Sequence, residues 1–158
     1  MNSPAGINQS ETLRKVKAAA YYPSLISMVV YGLRFLPSVV RLRRALLDQD
    51  LIGRWTVCDV QLTCRSLVGD NEAYSWACDP HMGGGILNQF GSHIVDLLHF
   101  VGGFKAGRVH GNLRTLTKTT SKINGIRQIA ADDFACFQME SSTNGRTADF
   151  YFANNIGS

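Results

Sequence analysis

The sequence contains few cysteines, and their arrangement excludes the common zinc-binding motifs. Only four cysteines occur among 158 residues, and none forms a pair with two intervening residues, the spacing in which cysteines usually bind zinc. The four histidines also lack the spacing of metal ligands. We therefore expect no metal site. Most of the cysteines are predicted to be small buried hydrophobic residues, and disulfides stay possible if the protein is exported.

Long apolar runs are also missing. The most apolar stretch, residues 25–40, is interrupted by Arg34 and Pro37 and is shorter than the roughly 20 residues that a membrane-spanning helix needs. It begins behind Lys17, which is too late for an ordinary signal peptide. The sequence therefore predicts no association with a membrane.

The net charge of +4 comes without a pattern that would indicate nucleic-acid binding. The basic residues are local, and the chain has neither a continuous basic face with interleaved aromatic residues nor a known nucleic-acid motif. The cluster at residues 41–44 is typical of a solvated helix face. Nucleic acid is therefore not an expected partner.

The hydrophobic periodicity predicts an α+β fold. Helical spacing alternates with strand patterns early in the chain, and strands follow one another later, which is typical of a largely antiparallel open sheet with helices packed on one face. Residues 1–20 are predicted to be a flexible tail with a short helix at 13–20, and residues 21–158 a single domain. The predicted strands are 25–31 (buried), 55–62, 108–117, 134–141 and 147–153, with helices from Pro37 to about residue 50 and over 86–101. Because the last strand runs nearly to Ser158, we expect an unpaired sheet edge there.

Three polar residues of the 86–101 helix form the candidate site. Gln89, His93 and Asp96 have the spacing i, i+4 and i+7, which places them in one stripe of a helix. His93 is suited to proton transfer, Asp96 to orienting it, and Gln89 to a hydrogen bond with a substrate hydroxyl. The helix begins after a run of glycines at 83–85, and its free N–H groups would favour an anionic or hydroxyl-rich ligand. A local surface pair of His93 and Asp96 without function is the alternative.

The same region resembles the Gfo/Idh/MocA oxidoreductases. The family pattern combines a tryptophan, an Asp-Pro pair, a glycine triplet and the motif G-x-H-x-x-D with an earlier R-F-x-P segment and a later Asp-Asp pair before an Asn-Gly hairpin. The matching residues here are Arg34-Phe35-Leu36-Pro37, Trp76, Asp79-Pro80, Gly83-Gly84-Gly85, Gly91, His93, Asp96, Asp132-Asp133-Phe134 and Asn144-Gly145. Within this family the sequence is most similar to the animal glucose-fructose oxidoreductase domain-containing proteins.

The resemblance implies a two-domain enzyme in which a Rossmann domain binds NAD or NADP and a second, sheet-based domain binds substrate. His93 falls on the family's catalytic histidine, and the acid four residues earlier is replaced by Gln89, which cannot transfer a proton. Gln89, Asp96, Gly84, Gly85 and Arg34 are the expected substrate-binding residues. The chain has no G-x-G-x-x-G fingerprint. We therefore expect the Rossmann domain to be absent and no cofactor to bind this chain alone.

Two functions follow from the resemblance. The first is the substrate-side domain of an NAD(P)-dependent oxidoreductase acting on sugar-like alcohols, inactive as an isolated chain. The expected partners are then the missing Rossmann domain, a sugar-like small molecule and a second copy bound through the sheet. The alternative is a non-catalytic binding or scaffold module, with an extracellular-matrix role and secretion suggested by resemblance alone.

Overall fold

The computed structural model describes residues 9–20, 28–53, 55–65, 73–119, 128–142 and 146–155. This part of the chain forms helices and strands in the order expected for an α+β domain. The helices are α1 (Gln9–Ala20), α2 (Pro37–Arg43) and α3 (Ser92–Gly102), and the strands are β1 (Val57–Arg65), β2 (Ala106–Arg114), β3 (Phe134–Ser141) and β4 (Thr147–Asn155). Single π turns continue α2 over Arg44–Asp48 and precede α3 over Leu87–Gly91, and 3-10 turns cover Gly32–Phe35, Trp76–Cys78 and Pro80–Met82.

The four described strands form one sheet in the order β1-β4-β3-β2. The pairs β2–β3 and β3–β4 are antiparallel, whereas β1 runs parallel to β4 with Val57 opposite Thr147. The sheet is therefore mixed: two of its three described strand pairs are antiparallel, as the prediction of a largely antiparallel sheet requires, whereas the parallel β1–β4 pair was not predicted. A parallel pair needs a long crossover, and here the crossover from β1 to β4 includes α3, β2 and β3.

The core lies between the sheet and the helix that contains the candidate site. Alternate residues of β1, β3 and β4 point to this side, as the period of two in a strand requires. The buried cluster consists of Ile86, Phe104, Ala135, Phe137, Met139, Ala148 and Phe152, and Ile94, Val95 and Leu98 of α3 pack against it. Helices thus cover one face of the sheet, as predicted, and α3 is held firmly above it.

Strand β2 is exposed along its whole length. Its residues Val109 and Leu113 pair with core-facing positions of β3, yet they are 62% and 49% exposed. The strands at the two edges of the described sheet are β1 and β2. The last strand, β4, was expected to leave an unpaired edge, but it lies inside the sheet between β1 and β3.

The segment before α2 differs most from its prediction. A buried strand was predicted over 25–31, but residues 28–31 have no regular structure, and Met28, Val29 and Val30 are 71%, 75% and 57% exposed. The prediction was wrong because apolar, β-branched residues form a strand only where another strand pairs with them. Residues 25–27 lie outside the described part, as do the turn residues Asn144 and Gly145.

The helix boundaries agree better with the sequence. Pro37 occupies the first turn of α2, where its missing N–H costs nothing, and Gly103 ends α3 in the left-handed conformation. Helix α1 begins at Gln9, four residues before the helix predicted at 13–20 and inside the predicted flexible tail.

Candidate functional site

The glycine run before the site helix lets backbone segments approach closely. Gly84 donates its N–H to the Asp79 carbonyl at 2.9 Å, and a Cβ on Gly84 would lie only 2.4 Å from the Ala77 carbonyl oxygen. Gly85 has φ of +103°, and a Cβ there would lie 2.1 Å from Oδ1 of Asp132. No other residue type fits either position without displacement. The two glycines therefore build the start of the helix, and their predicted contact with substrate stays a prediction.

Asp132 caps the helix that carries the candidate site. Its carbonyl accepts the Ile86 N–H at 2.8 Å, and its Oδ2 accepts the Leu87 N–H at 2.9 Å. These are among the N–H groups that the sequence analysis expected to be free for a ligand. Because Asp132 satisfies them, this helix start is an internal contact of the protein.

Asp133 anchors the segment that follows β2. It is 2% exposed, and its two carboxylate oxygens accept the N–H groups of Leu116 and Thr117, each at 2.7 Å. From the sequence, the Asp-Asp pair was identified only as part of the family resemblance, and neither structural role was predicted. A signal existed, because two adjacent acids directly before an apolar strand are candidates for backbone capping.

Of the predicted stripe, His93 and Asp96 contact the segment before α2, through Tyr31 and Arg34. The His93 imidazole is partly buried and meets the Tyr31 ring edge-on, with ring centroids 5.2 Å apart and planes at 86°. The Gln89 side-chain nitrogen Nε2 is buried without a hydrogen-bond partner among the described residues. Such an unsatisfied donor is rare in folded proteins, and no acceptor for it is present among the residues that the structure describes.

Asp96 is engaged by Arg34. Both carboxylate oxygens accept hydrogen bonds from the guanidinium, one from Nε and one from Nη2, and the Asp96 side chain is only 9% exposed. This hydrogen bond holds the pKa of Arg34 above its ordinary value. The predicted role of Asp96 was to orient His93, but among hydrogen bonds of the described residues its partner is Arg34. Arg34 was predicted to bind substrate; its observed contact is with a protein carboxylate, and the substrate contact stays a prediction.

Phe100 extends the contact between the same two segments. Its ring lies near the guanidinium groups of Arg34 and Arg43, 5.3 and 4.8 Å from their central carbons, and its carbonyl accepts a hydrogen bond from Arg43 Nη1. Residues 31–43 therefore cover the helix at positions 93, 96 and 100. We call this contact the stripe seam.

A groove of about 430 Å³, lined by both apolar and polar side chains, lies beside the seam. Several of its polar side chains bind neighbouring backbone: Asn88 donates to Gly84, Ser92 donates to Asn88, and His99 Nδ1 lies 2.8 Å from the Phe104 carbonyl. The groove is lined by Tyr31, Leu87, Asn88, Gly91, Ser92, Val95, Asp96 and His99. It offers space next to the stripe, but its polar groups chiefly stabilise the helix.

The described residues also bear on metal ions and membranes. No group of three or more histidine, cysteine, aspartate or glutamate side chains there is arranged to hold a metal ion. In the same residues, no helix combines the length and apolar character needed to cross a membrane.

Relatives in sequence point to one group of animal proteins. The chain is 47% identical over 129 residues to glucose-fructose oxidoreductase domain-containing protein 1 of Mus musculus. It is also 47% identical over 125 residues to glucose-fructose oxidoreductase domain-containing protein 2 of Xenopus laevis. These matches cover 82% and 79% of this chain and 32% of each relative. The chain thus spans about a third of the length of the curated relatives it matches.

Solved structures share the fold. An NAD binding oxidoreductase from Klebsiella pneumoniae matches with a TM-score of 0.75 at 17% identity, covering 99% of this chain and 41% of that protein. The WlbA dehydrogenase from Bordetella pertussis, solved with NADH and UDP-GlcNAcA, matches with a TM-score of 0.72 at 21% identity, covering 95% and 43%. In addition, residues 40–156 match the family model of the GFO/IDH/MocA C-terminal domain. The chain therefore belongs to the GFO/IDH/MocA C-terminal domain family.

Proposed function

We propose that this chain is the substrate-side part of an NAD(P)-dependent oxidoreductase that acts on sugar-like alcohols. The observation that carries the proposal is the family match over residues 40–156. Two residues of the predicted stripe support it: His93, on the helix above the sheet, and Gln89, whose side-chain nitrogen Nε2 has no hydrogen-bond partner among the described residues. An imidazole accepts a hydroxyl proton well near neutral pH. His93 would take the proton of the alcohol while Gln89 donates a hydrogen bond to a substrate oxygen.

The cofactor would be bound by another part of the enzyme. When bound, NAD or NADP accepts the hydride that leaves the alcohol carbon. This chain has no G-x-G-x-x-G fingerprint, and its helix start at residues 86–87 is capped by Asp132, so its residues do not fit a dinucleotide phosphate. The proposed role of this chain is therefore restricted to substrate contact and proton transfer.

We propose a nucleotide-binding domain as the partner that covers the segment before α2. Met28, Val29 and Val30 are more than half exposed, and so is Phe35 at 71%. Exposed apolar side chains that lie close together mark interaction sites in proteins, and these four lie within eight residues of the chain. The same segment carries Tyr31 and Arg34, so a domain docked there would lie next to the stripe.

The decisive experiment is a turnover assay with a supplied nucleotide-binding domain. The chain is joined to the part of the mouse relative that it does not match, which is proposed to bind the nucleotide, and NAD and NADP reduction is followed over a panel of sugars and polyols. We expect His93→Ala to reduce turnover by about 10²-fold or more, and the control His110→Ala, in the exposed strand β2, to change it less than about twofold. Activity that survives His93→Ala unchanged would refute the assignment.

The alternative is a non-catalytic binding module, and Gln89 is the observation that favours it. An amide at the position of the family's acid cannot exchange a proton. Gln89→Glu restores a carboxyl group in the same place. If neither the parent nor Gln89→Glu turns over any member of the panel while the joined protein is folded and binds NADH, the binding module becomes the better proposal.

We also propose that the uncovered face of the sheet binds a second copy of the chain. Tyr151 is 46% exposed on this face, which also carries the exposed Arg108–Glu140 pair. Sedimentation of the joined protein tests the idea. Tyr151→Arg should convert a dimer to a monomer, whereas Leu113→Arg, on the opposite face of β2, should leave the dimer intact. A monomeric parent would contradict it.

A further inference from the structure

We infer that Tyr31 and Arg34 are positioning residues for His93. The ion pair between Arg34 and Asp96 holds the segment before α2 against the helix, and this contact places the Tyr31 ring against the His93 imidazole. The inference rests on the proposed role of His93. It assigns a task to a segment that the sequence analysis read as a buried strand. The placement itself is measurable without any turnover.

The local geometry of both segments produces the match. Tyr31 precedes the 3-10 turn Gly32–Phe35, and its carbonyl accepts the Arg34 N–H at 3.3 Å. Tyr31 itself is extended, and the turn begins at the next residue. His93 and Asp96 are three apart, and in an α-helix this spacing brings two side chains together on the surface. Tyr31, just before the turn, and Arg34, within it, therefore meet two neighbouring residues of the helix.

Arg34 and Asp96 form the stronger of the two contacts. A guanidinium matches a carboxylate through two parallel hydrogen bonds, which fixes direction as well as distance. Asp96 is 9% exposed, and a carboxylate with so little water around it is costly to leave unpaired. The pair therefore holds the turn in one orientation. Phe100 supports this orientation, because its ring lies near the guanidinium groups of both Arg34 and Arg43.

Tyr31 transmits this orientation to the imidazole. Edge-on aromatic pairs are favourable at centroid distances of about 4.5–7 Å, and the observed distance is 5.2 Å with nearly perpendicular planes. The contact occupies one side of the His93 ring and so restricts its rotation. A proton acceptor held in one rotamer needs no reorganisation when substrate binds, and small displacements of such a group reduce rates strongly.

Nuclear magnetic resonance of the full chain with labelled histidine directly tests whether the Tyr31 ring lies against the His93 imidazole. A tyrosine edge-on to an imidazole shifts the His93 ring protons through its ring current, and the signals are assigned with His93→Ala. Tyr31→Leu should abolish this shift, and Tyr31→Phe should preserve it. Arg34→Met should also abolish this shift, although the Arg34 side chain itself produces no ring current. Arg34→Lys should restore part of the shift. Arg41→Met, an exposed arginine of α2, is the matched control and should leave the His93 signals unchanged.

Two results would overturn the inference. If Arg34→Met and Arg41→Met leave the His93 signals equally unchanged, the Arg34–Asp96 ion pair does not position the Tyr31 ring against the imidazole. If Tyr31→Leu leaves them unchanged, the ring contact is absent in solution. Should Arg34→Met fail to fold, Asp96→Asn, which keeps shape and removes charge, replaces it with the same expected loss. In the joined enzyme, Tyr31→Leu should lower kcat at least about tenfold with little change in KM. The resonance experiment could confirm the placement of the Tyr31 ring while His93→Ala leaves turnover intact. That combination would refute the proposed function and leave the inferred placement of His93 standing.

Discussion

Replacing Asp133 by asparagine tests the capping of the segment after β2. The carboxylate is 2% exposed and accepts two backbone N–H groups at 2.7 Å. Asparagine retains the shape, but its amide presents one oxygen and one NH₂ group. One backbone N–H therefore keeps an acceptor, and the other faces a second donor in a buried site.

The expected loss of stability follows from these two contacts. A buried donor left without an acceptor costs about 1–3 kcal/mol, and a hydrogen bond to a charged group contributes about 1.5–3 kcal/mol. We therefore expect Asp133→Asn to lower the free energy of unfolding by about 3 kcal/mol. For a chain of this size, that is a fall in Tm of about 6–12 °C.

Urea denaturation of the full chain measures the loss, and amide hydrogen exchange locates it. Exchange should accelerate most at whichever of the Leu116 and Thr117 N–H groups faces the new amide NH₂, because the other keeps an oxygen acceptor. The control is Asp59→Asn, an exposed aspartate of β1 that accepts only a 3.3 Å hydrogen bond from Gln61. Its expected effect is below about 0.5 kcal/mol. If both variants are equally stable, or if exchange at 116 and 117 is unchanged, the capping argument is wrong.

Three further predictions concern other parts of the fold. Gly85→Ala should destabilise the chain by about 2 kcal/mol or more in urea, because φ is +103° and a Cβ would overlap a neighbouring carboxylate, whereas Gly32→Ala, where a Cβ meets nothing within 4 Å, should be near neutral. Arg146→Met should cost about 1–2 kcal/mol by the same assay, because its guanidinium stacks on an indole at 4.4 Å and donates to a helix carbonyl at 2.9 Å; no loss would contradict the stacking. Burial, with a smaller effect of a neighbouring carboxylate, raises the pKa of the Cys58 thiol above its ordinary 9.0. The unfolded chain then loses that proton first, so stability should fall as pH rises past about 9. This fall should be smaller in Cys58→Ala and unaltered in Thr63→Ala, on the other face of the strand, when denaturation is measured from pH 7 to 10.

The site was only partly predictable from sequence. The stripe of Gln89, His93 and Asp96 follows from helical period and was found that way. The partner of Asp96 was not, because Arg34 is 62 residues away in sequence and no local pattern reports which distant cation reaches a carboxylate. The same holds for Asp132, whose capping of the helix depends on a contact across 45 residues.

By itself, the sequence determined the elements whose signals are local: the start of α2 at Pro37, the end of α3 at Gly103, the bounds of β3 and the alternation that faces β1 toward the core. Proline, a left-handed glycine and hydrophobic period act within a few residues, so their effect is written in the chain. Only the tertiary structure decided that β1 pairs in parallel with β4, that residues 28–31 form no buried strand, and that the turn at 32–35 seats on the helix. Each of these depends on which distant surface is present to pair with, because an apolar segment or a charged side chain has no preferred partner until packing brings one to it.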